Sequence, residues 1–155
     1  LDTIHTALNT LEGRNPYAQH WAHCDRIRCH LTRGELQQAS THLEQLHPPD
    51  APELEWAAAL TLSRAHLALR SGRHPQALAL LAECPSTLQG TLLGLELAAL
   101  TAQAHAQAGA LEEAQSALER AKNHLASLAL PPHARLAHLV HQAQLALHPE
   151  TRGKA

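Results

Sequence analysis

Three stretches of this chain share one spacing. RIRCHLTRGELQQASTHLEQL (26–46), RAHLALRSGRHPQALALLAEC (64–84) and TAQAHAQAGALEEAQSALERA (101–121) align on Gly34, Gly72 and Gly109, thirty-eight and then thirty-seven residues apart. Ala follows each Gly five residues later, at Ala39, Ala77 and Ala114, and Leu follows four after that, at Leu43, Leu81 and Leu118. A period near forty, with helix-forming sequence on both sides of a Gly, predicts stacked helical hairpins. Gly just past a helix end can take the left-handed conformation that closes the last carbonyls. The small Ala lets two helix backbones approach, and the Leu one turn on fills the seam between them.

Composition fits this frame. Apolar residues make up 45 % of the 155, and they are mostly Ala and Leu, the strongest helix formers. One Val and two Ile leave little β-branched material for a sheet. The expectation is an all-α fold, a right-handed superhelix of antiparallel helix pairs with about eight helices. Their expected bounds are 2–12, 16–33, 35–46, 52–71, 74–83, 88–108, 111–128 and 132–147. Leu111, Ala114, Leu118, Ala121, Leu125 and Leu128 form the clearest apolar stripe. Breaks fall between the hairpins: Asn15–Pro16, HPPDAPE at 47–53, CPSTLQ at 84–89 and LPPH at 130–133. Asp50 with Glu53, and Ser86 with Gln89, have the spacing of a capping box. One domain over 1–148, followed by a tail over 149–155, is expected. The chain begins at Leu1 and contains no Met, and its first and last helices each read as half of a pair. It therefore reads as a segment of a longer protein.

Several function classes find little support. Net charge is −2 and no basic run occurs, so direct nucleic-acid binding is not expected. No apolar stretch is long enough to span a membrane, and no charged-then-apolar signal-peptide pattern appears in the sequence, so neither is expected. Cys24, Cys29 and Cys84 are an odd set without paired spacing, which suits a reducing cytoplasm. No nucleophile elbow or phosphate loop appears, so neither catalysis nor a cofactor is expected. Fourteen His residues raise the question of metal. His20, His23, Cys24 and His30 cluster on one segment, and His138, His141 and His148 on another, but neither has the ligand spacing of a zinc site. Gly90 and Gly94, spaced GxxxG, are explained by close helix approach.

The Gly–Ala spacing resembles the tetratricopeptide-type repeat, whose first helix ends in Gly with Ala five residues on. The family's late Ala is met at Ala121 alone, with Leu46 and Cys84 in its place elsewhere. Its early aromatic is replaced by His23, Thr61 and Ala98, its early Gly by Ile27, Ala65 and Ala102, and its Tyr by His30, Ala68 and His105. The longer period is similar to the degenerate repeats of MalT-type bacterial regulators, where a helical array senses a ligand or partner beside an effector domain. The resemblance implies a non-enzymatic interaction or sensor module in a bacterial transcription or signalling protein, with a groove lined by first helices. Groove-facing residues lie six before each Gly (Arg28, His66, Gln103) and two before it (Thr32, Arg70, Gln107), with His141 one period on. Arg28 and Arg70 would hold a carboxylate of a protein or peptide partner, or of a neighbouring domain. A His-rich metal- or pH-responsive module, or a spacer forming a homo-oligomer, are the alternatives.

Overall fold

A computed structural model describes residues 3–4, 16–46, 54–129 and 134–149, with the side chains of 16–20 and 54 excluded. Among these residues the chain is all-helical. Its seven helices are α1 (Pro16–Arg33), α2 (Leu36–Gln45), α3 (Leu54–Arg70), α4 (His74–Ala82), α5 (Leu92–Ala108), α6 (Leu111–Leu128) and α7 (Arg135–Leu147). Of the expected helix over 2–12, the described residues include only 3–4, which are helical. The Asp50–Glu53 capping box lies outside the described residues.

The three aligned glycines build the same turn. Their φ angles are +76° at Gly34, +76° at Gly72 and +80° at Gly109. After each, the next residue's N–H reaches back five residues in a Schellman closure. Glu35 N donates to His30 O at 2.9 Å, Arg73 N to Ala68 O at 2.8 Å, and Ala110 N to His105 O at 2.9 Å. The carbonyl of that same residue then accepts the first bond of the next helix, from Ala39, Ala77 and Ala114 at 3.1, 3.1 and 3.0 Å. All three Ala are fully buried, and Leu43, Leu81 and Leu118 are buried one turn later.

The break at 84–91 differs from expectation. Ser86 does not cap α5; Ser86–Leu88 forms a short 3-10 turn, and α5 starts only at Leu92. Thr91 is the true cap, its Oγ1 accepting from Gly94 N at 3.1 Å. Gly90 is a left-handed turn residue with φ +82°. Gly94 does meet a close neighbour, but it is the chain's own preceding turn. A Cβ there would fall 2.2 Å from Leu88 O, so any larger residue would displace that backbone.

Each helix packs on its sequence neighbour, and the odd-numbered helices also pack on one another in order, α1 on α3, α3 on α5 and α5 on α7. Two apolar clusters result. One joins Cys24, Ile27, Leu31, Ala39, Leu43, Trp56, Ala59 and Leu60 of α1–α3. The larger runs from Leu62 through α4, α5 and α6 to Ala143 of α7, and Leu93 touches both.

Candidate functional site

The odd-numbered helices carry every residue expected to line a groove, and the structure divides those residues into two groups. Arg28, His66 and Gln103, six before the turn glycines, are all buried, at 7 %, 5 % and 8 % exposure. Thr32, Arg70 and Gln107, two before the glycines, are exposed, as is His141.

The buried group ties helices together. Arg28 holds a carboxylate, as its chemistry suggests, but the carboxylate belongs to this chain. Arg28 Nη2 on α1 donates to Glu96 Oε2 on α5 at 3.1 Å, and Nη1 donates to Asp25 Oδ1 at 3.2 Å. Arg135, in the first turn of α7, grips the same carboxylate with two bonds, Nη1 to Oε1 and Nη2 to Oε2, both 3.2 Å. Glu96 is 1 % exposed. Three helices therefore meet at one buried charge. Gln103 Nε2 donates to Leu139 O at 3.1 Å, a second tie from α5 to α7.

Electrostatics follow from this geometry. Burial works against the Glu96 charge, but Arg28 and Arg135 outweigh it and hold the carboxyl below the usual range. Burial likewise opposes the Arg28 charge, and Glu96 more than compensates. His66 lies in the same buried region. Desolvation lowers its pKa to about 4; Glu96 opposes the shift, while Arg135, Arg70 and His138 reinforce it.

Sequence reasoning did not single out Glu96. A signal was present. Glu96 is the only Asp, Glu, Lys or Arg between Glu83 and Glu112, and it sits among Leu93, Leu97 and Leu100 on one apolar stripe. A lone carboxylate on such a stripe needs a cation.

The exposed group makes lighter contacts. Thr32 Oγ1 donates to Arg28 O of its own helix at 2.9 Å. Gln107 Nε2 reaches Leu69 O, near the carbonyl end of α3, at 3.4 Å. An Arg70 Nη2 lies 3.3 Å from where a Cβ on Gly34 would stand, so the α3 end rests on the turn after α1.

The His residues sort differently from their sequence clusters. His23 on α1 and His42 on α2 are joined by a 2.9 Å hydrogen bond. Burial, then the His23, Arg26 and His30 charges, lowers the His42 pKa to about 4. His30 is buried and donates to Glu35 at 2.6 Å, fastening the first Schellman turn. Among the described residues no three His, Cys, Asp or Glu converge in a way that could hold a metal. Burial raises both Cys24, to about 11, and Cys84, so neither is an activated thiol. No helix among the described residues is long and apolar enough to cross a membrane.

A cavity of about 330 Å³ opens above the ion node. Arg28, Glu96 and Arg135 line it together with Trp21, Leu93 and Leu136. Comparison with protein-family models, curated proteins and solved structures gives no significant match.

Proposed function

We propose that this chain is a non-enzymatic interaction or sensor module, a regulatory segment of a bacterial transcription or signalling protein. In this reading its helices are antiparallel pairs in a right-handed superhelix of the tetratricopeptide-like kind. The recurrence of one turn geometry at Gly34, Gly72 and Gly109, with odd-numbered helices stacked in order, supports that arrangement. The observation that carries the function is the exposed row of Thr32, Arg70 and Gln107 on those stacked helices, with His141 also exposed on α7. Thr32, Arg70 and Gln107 present a hydroxyl, a guanidinium and an amide along one repeating position, and His141, one period on from Gln103, adds an exposed imidazole on α7. That pattern suits an extended or helical segment of a partner bearing acceptors. Arg28 and Gln103 serve the row from below, by tying α1 to α5 and α5 to α7.

Photo-crosslinking in the native cell tests this reading. A crosslinker at position 70 or 107 is expected to capture a discrete partner that the same group at 37 or 119, exposed on α2 and α6, does not. Capture of the same set from all four positions rejects the row as an interface. Exchange of Arg70 for Glu should then abolish the specific product while leaving helical circular dichroism unchanged.

A further inference from the structure

The cavity over the ion node has an unbalanced set of polar groups. Arg28 and Arg135 together bring ten N–H groups. Hydrogen bonds among the described residues use four of them, three on Glu96 and one on Asp25. Glu96 accepts all three on its two oxygens and is 1 % exposed, so little of its capacity is left. Arg28 Nε is buried and finds no acceptor among the described residues, and Arg28 as a whole is only 7 % exposed. An unmet donor on a buried charged group is costly, and the common remedy is an acceptor from outside. Arg135 is more open, its side chain 29 % exposed.

The rest of the cavity is mostly apolar, with Glu55 its one further charged lining residue among the described residues. Trp21, Leu93 and Leu136 form walls beside the guanidiniums. The first turns of α3, α5 and α7 all border it, through Glu55, Thr91 with Leu92, and Arg135 with Leu136. Helix beginnings carry partial positive charge and add to the preference for an acceptor. Two carboxylates counter it, Asp25 and Glu55, but both are exposed and screened by water. At about 330 Å³ the space is at the small end of known ligand sites.

We propose that this cavity binds a small amphipathic carboxylate, with its carboxylate against Arg28 and Arg135 and its hydrocarbon body against Trp21, Leu93 and Leu136. Bound there, the ligand bridges α1 and α7 through the same two arginines that grip Glu96. The site is separate from the exposed row proposed to meet a partner, so each can fail without the other.

The test uses the purified chain with hexanoate as probe and hexanamide as its neutral counterpart. Tryptophan fluorescence and the indole N–H signals of a ¹H–¹⁵N spectrum report on Trp21. Hexanoate is expected to saturate, at least about tenfold tighter than hexanamide, as a charge-assisted bond should give. Arg135→Gln retains the Arg28–Glu96 pair and should weaken hexanoate about tenfold without changing hexanamide. Leu92→Glu places a negative charge at an exposed lining position and should have the same selective effect, which keeps the test decisive if Arg135→Gln unfolds. Equal binding of the two probes, absence of saturation by hexanoate, or wild-type hexanoate binding in folded Arg135→Gln and Leu92→Glu would each overturn the proposal.

Discussion

Two rows of polar side chains, one helical turn apart on the same three helices, do opposite work. Six residues before each turn glycine, Arg28, His66 and Gln103 are buried, and two of them bridge to distant helices. Two residues before each glycine, Thr32, Arg70 and Gln107 are exposed and lean on nearby backbone. The chemistry of the rows is alike, with an arginine, an amide and small or ring donors in each. Depth under the neighbouring helix decides whether a polar group becomes a structural tie or an available surface.

The comparison breaks most readily at the node. Glu96→Ala leaves Arg28 buried without its main partner, and losing one member of a buried pair costs about 3–5 kcal/mol. Urea unfolding should show this, and a loss below about 1 kcal/mol would mean that the row does not hold the helices together.

Acid should act on the same buried row next. His66 and His42 both have pKa values near 4 in the folded chain, against 6.5 for a free ring. The unfolded chain takes up protons first, so stability is full above pH 6.5 and falls as pH drops towards 4. His66, the more deeply buried, contributes roughly 2–3 kcal/mol of that fall at most. Denaturation midpoints measured from pH 7 to pH 4 check it, and His66→Gln should flatten the slope. A slope unchanged in that variant would place the titration elsewhere.

Smaller effects sharpen the contrast. Gln103→Ala leaves Leu139 O without its side-chain donor and should cost about 1–2 kcal/mol. Thr32→Ala removes only a bond within its own helix and should stay within about 0.5 kcal/mol of wild type. Thermal melts of the two variants, side by side, give the ranking. Equal losses would erase the distinction between the rows.

The sequence discloses those parts of the fold that are set locally. Each turn glycine needs only its own dihedral and a carbonyl four residues back, so Gly34, Gly72 and Gly109 were legible, together with the buried Ala and Leu that follow them. The start of α5 was less so, because Ser86 offers a cap that the chain spends on a 3-10 turn, leaving Thr91 to begin the helix. The two rows could not be told apart, since residues four apart share one helix face. Glu96 was hidden for another reason. Its partners lie 68 and 39 residues away, and nothing in local spacing indicates which cation a buried carboxylate will meet.

The three glycine closures also bear on how the chain becomes ordered. Each is completed by groups within six residues of one another, so any of them can form early and at little entropic cost. The Arg28–Glu96 contact spans 68 residues and needs α1 and α5 already in place. Such long-range encounters slow folding, and this one belongs late in the sequence of events. Assembly would thus begin at three independent points and finish at a single latch.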